Sequence, residues 1–567
     1  MNDTFRPSKP AIKKHATEDF IAKIQALEDL SDKCFEHLDL IKHPWNLGVW
    51  LSLSHSIKMI HGAELKFPFS GERHVRAIQN VGSLAQHMID WCVSHGSHPD
   101  LPLSRFRATR SSWEDVQRAF EVALNYDEFC RIFPRWHRDL EAAELVSDDE
   151  IRFTHVLSGL PRRIWAYQSN MRPPGGEANS TYELNYRRLE QLASEIDGTV
   201  RRRHREIKVD RLGDLRLAAF QAYIDNPTPI VHMFRRNSEV NVGGYTLGDF
   251  QLFYTALIAL MATHEHLCAV WKNDPSKIPF ISTVLIHSPS EWVRLIRSLT
   301  NQSREIVDTI IADLTYGAIR KRNPMLSPFI PVNTAQTQLA VAFPYVLASA
   351  AEDNVLRVCS HLKPNIFNLT TNTKEHEMRR ALRESATEEL DVLGPVHLSE
   401  KLPDVDVILE NRKAGIVVIA EAKWLATRQE GELLKGVSQC KKIRDFLKTN
   451  DDFLFRRKQL SRRLSEFRKV VFCVIARDSL IYNDPKDMPV FAFDAVLQAL
   501  KMENTDAGID FLMSFDWLPR EGRDFKMGRN VAKVPGVTIS YEGYRRTYTE
   551  RSDLTVVDFS QVNSFEF

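Results

Sequence analysis

The chain has 567 residues, 75 Lys+Arg against 74 Asp+Glu, and a hydrophobic content of 43%. That length suggests roughly three to four domains, and a net charge of +1 gives no bulk electrostatic pull toward nucleic acid or membrane. With only 23 Gly and 26 Pro, and an apolar run at 250–263 that ends in His264-Glu265-His266, collagen-like, low-complexity and membrane-spanning classes are excluded.

The N-terminal stretch MNDTFRPSKPAIKKH has no apolar core, so no secretory signal is expected there. Residues 1–170 are predicted to form a mainly helical domain, with helical spacing in DFIAKIQALEDL and SWEDVQRAFEVAL and Ser112 as an N-cap. SNMRPPGGEANS at 169–180 reads as a break. A second helical domain is expected over 181–370, with helices at 213–225, 247–270, 291–319 and 336–356. Its basic run RRRHR at 201–205 reads as a solvated helix end, and NVGGYTLGDF at 241–250 as a loop entering a helix without a phosphate-loop signature. His264 and His266 are two apart, which places them on different helix faces and gives no metal motif.

The character changes near residue 371. Residues 374–393 are expected to be one helix. PDVDVILE (403–410), the turn NRKAG (411–415) and GIVVIAEAKW (415–424) then read as a hairpin, followed by a helix at 431–447 and strands at 469–477 and 488–493. The expected fold is therefore multidomain: a largely α-helical N-terminal region, an α/β domain over 371–520 with a mixed central sheet, and a C-terminal extension over 521–567. The seven cysteines (34, 92, 130, 268, 359, 440, 473) include no C-x-x-C, which favours reduced, buried thiols in a cytoplasmic setting over structural zinc or disulfides.

The chemistry concentrates in Asp406, Glu421 and Lys423. An E-x-K triplet also occurs at Glu64–Lys66 and Glu206–Lys208, but only Glu421–Lys423 ends a buried-strand run, Ile416-Val417-Val418-Ile419-Ala420, that follows a second apolar strand with its own acid. Strand alternation puts Glu421 and Lys423 on one face, and the hairpin returns them beside Asp406. Two close, partly desolvated carboxylates repel, and a Mg²⁺ ion relieves that cost, with Mn²⁺ as a substitute. Lys423 is then placed to orient a water or to steady developing negative charge. This set suits hydrolysis of a phosphodiester.

On these residues, segment 374–493 resembles the PD-(D/E)xK nuclease superfamily, the restriction-endonuclease-like fold. Asp406, in Asp406-Val407-Ile408-Leu409, matches the metal-binding aspartate, with Asp404 after Pro403 as the second choice. Glu421-Ala422-Lys423 matches the (D/E)xK element. The resemblance implies catalytic roles for Asp406, Glu421 and Lys423, and metal contact through Asp406, Glu421 and the carbonyl of Ala422. It also implies a role for Glu377 in the preceding helix, with Glu375 as the other register. Gln439 resembles the glutamine of the Q-x-x-x-Y subgroup, although Ile443 stands where that subgroup has tyrosine.

Between Lys435 and Lys469 lie about twelve basic and four acidic residues. Lys435, Lys441, Lys442, Arg456, Arg457 and Lys458 are the candidates for contact with nucleic acid, against the alternative of a solvated face. The functional expectation is a Mg²⁺-dependent nuclease acting on DNA, by analogy in restriction or anti-phage defence. The helical N-terminal region would serve a protein partner or self-association. The rival reading is a nucleic-acid- or partner-binding scaffold with a nuclease-like domain that does not cut.

Overall fold

The computed structural model describes residues 17–66, 72–97, 99–168, 200–203, 206–209, 212–225, 238–272, 284–317, 327–342, 345–346, 351–385, 387–424, 430–477, 487–502 and 504–547. The break read at 169–180 lies outside them. Among the described residues no helix is long and apolar enough to cross a membrane.

The first unit is helical, as its spacing indicates: α1 (Glu18–Ser31), α2 (Trp45–Lys66), α3 (Glu72–His95) and α4 (Arg110–His137). Its core holds Trp50, Met88, Phe106, Phe120 and Phe129. The cap of α4 is Thr109 rather than Ser112. The Thr109 hydroxyl accepts from the Ser112 backbone N–H, and the Ser112 hydroxyl, at N3, accepts from the Thr109 backbone N–H. A hairpin, β1 (Glu141–Leu145) and β2 (Glu150–His155), follows the helices, and α5 (Gly159–Gln168) comes after it.

RRRHR begins inside a strand and not at a helix end. Val200–Arg203 is β3 and pairs antiparallel with β4, Glu206–Val209. The next helices are α6 (Leu212–Asp225), α7 (Leu247–Lys272), α8 (Pro289–Thr300), α9 (Arg304–Asp313) and α10 (Ala351–Leu362). Two expected helices are thus revised. Residues 291–319 divide at Asn301, whose left-handed backbone ends α8, and Ser303 caps α9. Residues 339–342 (LAVA) form a fully buried strand, β7, in a small sheet with β5 (Val284–His287) and β6 (Ile330–Pro331).

The long helix α11 spans Pro364–Glu384, and the chain then turns into a strand, β8 (Leu390–Leu393), instead of continuing helical to residue 393. The strands β9 (Val407–Asn411) and β10 (Ile416–Trp424), helix α12 (Glu430–Thr449) and strands β11 (Lys469–Arg477) and β12 (Val490–Ala492) follow. The five strands form one mixed sheet in the order β12-β11-β10-β9-β8. β8, β9 and β10 form an antiparallel meander, whereas β10, β11 and β12 run parallel. The parallel step explains why β10 and β11 are nearly unbroken apolar runs: both faces are covered. Val417 and Ile419 belong to a buried cluster with Ile443 and Leu447 of α12, while Val418 and Ala420 belong to one with Met378 and Leu382 of α11.

Two packing features revise the domain plan. The core containing Val418 and Phe491 is continuous with Phe253, Trp292 and Leu356, so the second helical stretch and the α/β unit share one interior. After α13 (Phe493–Leu500) and α14 (Thr505–Met513), the hairpin β13 (Phe525–Val534) and β14 (Val537–Arg546) returns to the N-terminal unit. β14 pairs in parallel with β2, Ile539 opposite Ile151, which completes the sheet β1-β2-β14-β13. The described part of the C-terminal extension is therefore an integral piece of the first unit.

Candidate active site

β10 is held on both sides, by β9 over Ile416–Ala420 and by β11 along its whole length. The antiparallel register ends with Ala420 opposite Val407. One step further, Asp406 lies opposite Glu421, where β9 has ended and β10 continues. The Asp406 carboxylate fills the gap in the ladder: Oδ2 accepts from the Ala422 backbone N–H at 2.9 Å. Glu421 and Lys423 share a face by strand alternation, and the Lys423 ammonium lies 2.7 Å from Glu421 Oε1.

Two glycines make this close approach possible. Gly394, at φ +109°, lets the backbone pass Asp406, where a Cβ would lie 2.5 Å from the Asp406 carbonyl oxygen. Gly436 on α12 faces the Lys423 stem, where a Cβ would lie 2.9 Å from Cγ. A glycine inside a helix costs about 1 kcal/mol relative to alanine. Here it leaves room for the lysine.

Of the two helix acids, Glu375 faces Lys423 and Glu377 does not. Glu375 Oε1 lies 3.5 Å from Lys423 Nζ, whereas Glu377 pairs with Arg380 at 2.7 Å. Helical periodicity supplies the reason: two residues along a helix turn a side chain through about 200°, while four bring it back to the same face. Arg379, four residues after Glu375, accordingly reaches the cluster and donates from a terminal guanidinium nitrogen (Nη1) to Asp406 Oδ1 at 3.3 Å. Sequence reasoning missed Arg379, and the signal that finds it is the phase of α11 relative to Glu375. Asp404 does not join the cluster; it pairs with His397 at the surface. Gln439 lies three residues beyond Gly436 on α12, and its Oε1 is buried with no hydrogen-bond partner among the described residues.

Burial governs the electrostatics. It pushes the Glu421 carboxyl up to about 7, and the nearby Asp406 adds to that rise. Burial also raises Asp406, against the bond from Ala422, and raises Glu375, against Lys423. Lys423 is held above its ordinary value: burial alone would lower it, but Glu421 and Glu375 outweigh that effect. Lys423 is therefore an ammonium at neutral pH, a donor and not a base. Three carboxylates thus face two cations.

Among the described residues no three metal-liganding side chains converge as a ready-made cage. The donor set nevertheless fits Mg²⁺, which is held by one or two carboxylates with waters rather than by an all-protein cage. Glu421 Oε2 is buried with no hydrogen-bond partner among the described residues, an unmet acceptor that a cation would satisfy.

Much of the basic segment is already paired, mostly with residues outside it. Lys435 faces Glu432, Lys441 pairs with Asp487, Arg456 with Asp452, and Arg457 donates to the His397 carbonyl. Lys442 and Lys458 are exposed. Exposed ion pairs of this kind contribute little to stability. No protein-family model, curated protein or solved structure matches the chain.

Proposed function

We propose that the chain is a metal-dependent nuclease of the restriction-endonuclease-like class, hydrolysing phosphodiesters in DNA. The carrying observation is Asp406, the residue just before β9, bonded to the Ala422 backbone N–H at 2.9 Å, with the Lys423 ammonium 2.7 Å from Glu421 and a buried Glu421 oxygen that has no hydrogen-bond partner among the described residues. The order helix, antiparallel meander, helix, parallel strand supports the same reading, since it is the framework expected around such a motif.

Asp406 and Glu421 would hold Mg²⁺ together with the Ala422 carbonyl, and such an ion lowers the pKa of bound water and neutralises phosphoryl charge. Asp406 is oriented for this by the Ala422 N–H, and Glu421 by the pairing of β10 with β11, where it stands opposite Val474. Lys423 remains protonated, so it donates a hydrogen bond to a phosphate oxygen or to the attacking water. Glu375 holds that ammonium in place. The shared core with the second helical stretch ties the site to a region suited to substrate selection or partner docking. By analogy, such an architecture fits restriction or anti-phage defence.

The test is incubation of the purified full-length chain with plasmid, single-stranded DNA and RNA, with Mg²⁺ or with chelator. Cleavage of DNA that requires the cation supports the reading, whereas intact substrates under all cation conditions would overturn it in favour of a binding scaffold.

A further inference from the structure

Arg379 has chemistry that the ion-pair ledger does not use. Its side chain is 13% exposed, its hydrogen bond to Asp406 is long at 3.3 Å, and its Nε is buried with no hydrogen-bond partner among the described residues. Charge-assisted N–H···O bonds normally lie near 2.7–2.9 Å. The neighbouring cation on α11 is saturated by comparison: Arg380 bonds both Glu377 at 2.8 Å and Glu384 at 2.6 Å. A guanidinium carries five donors in a planar fork that matches two oxygens of one phosphate. Arg379 therefore presents an underused fork at the edge of a carboxylate cluster, beside the aspartate that would hold the metal.

Building on the nuclease reading, we propose that Arg379 is a phosphate-binding residue of this site, gripping non-bridging oxygens of the scissile phosphate. In the free protein Asp406 holds the guanidinium near its working position. A phosphate bound beside Lys423 would offer the acceptors that Arg379 lacks, so that one phosphate would bridge two cations, Lys423 and Arg379. Arg379 selects for the phosphodiester itself and not for a base, so its contribution is the same for every sequence.

The experiment titrates inorganic phosphate into the full-length chain by calorimetry, with and without Mn²⁺, for wild type, R379Q, R379K and the control R380Q. Mn²⁺ affinity is read separately by electron paramagnetic resonance, and folding by circular dichroism. Loss of a charge-assisted fork is expected to weaken phosphate binding about 10- to 100-fold in R379Q. R379K recovers part of it through charge alone, and R380Q matches wild type. Mn²⁺ affinity in R379Q stays equal or tightens, because a cation has left Asp406. Equal phosphate affinity in wild type and R379Q, or no phosphate binding by wild type under either condition, overturns the proposal. Loss of Mn²⁺ binding in both R379Q and R379K also overturns it, since Arg379 would then be a strut for Asp406. A wild type that binds phosphate through Arg379 but cuts no nucleic acid defeats the nuclease reading and leaves this assignment standing. Cleavage that is unaffected in R379Q does the reverse.

Discussion

Replacing Glu421 by glutamine separates the electrostatic account from ordinary packing effects, because its effects with and without metal have opposite signs. In the metal-free protein the folded-state value of Glu421 lies at about 7 against an ordinary 4.5. A raised carboxyl favours the folded state below the ordinary value, and that contribution is lost as pH rises through about 7. The rise corresponds to about 3 kcal/mol at full ionisation, and relaxation and water entry lower the expected figure to about 1–3 kcal/mol. Glutamine keeps the shape, still offers Lys423 an acceptor, and does not ionise. At pH 8 and in chelator, Glu421→Gln should therefore melt several degrees above wild type, at about 2–4 °C per kcal/mol for a cooperative unit of this size. Near pH 5 the two should nearly coincide. Added Mn²⁺ should raise the wild-type melting temperature and leave the variant almost unmoved. Differential scanning fluorimetry from pH 5 to 8.5 reads both effects. Parallel melting curves across that range, or an equal Mn²⁺ shift in both proteins, would refute the reasoning.

Two other perturbations follow from the packing. Gly436→Ala would ordinarily stabilise a helix interior by about 1 kcal/mol; here the new Cβ meets the Lys423 stem at 2.9 Å. Cleavage should fall on the order of tenfold or more with little loss of helix, measured by initial rates alongside circular dichroism. Deleting residues 525–546 removes β14 from β2 and uncovers Ile151 and Phe153, so a separate low-temperature unfolding transition should appear. An unchanged calorimetric trace would show that the hairpin is an appendage.

The reach of the sequence depended on how local each determinant was. β10 was legible because Ile416–Ala420 is a β-branched run with acid and lysine two apart, and period-2 geometry fixes their common face. The turn NRKAG likewise announced the return of β10 along β9. Glu375 was second choice because α11 begins at Pro364, well before the segment that reads as helical, and the face of each acid depends on packing against β10. The same missing phase concealed Arg379. β7 and β8 are four residues each, too short for periodicity to separate strand from helix. The pairing of β14 with β2 joins residues almost 400 apart, and no local pattern encodes such a contact. The basic segment showed the opposite error: composition exposed its charge but not Asp487, which lies outside it in sequence and pairs with Lys441 and Arg444.

The proposed nuclease activity rests on Asp406, Glu421 and Lys423. The most direct measurement compares Mg²⁺-dependent cleavage of DNA by wild type, Asp406→Asn and Lys423→Ala, each checked for wild-type circular dichroism and elution volume. Neither substitution empties an apolar core, so both variants should fold. Wild type should cleave only with the cation, and each variant should lose at least about 10²-fold. Wild-type rates in either folded variant would contradict it.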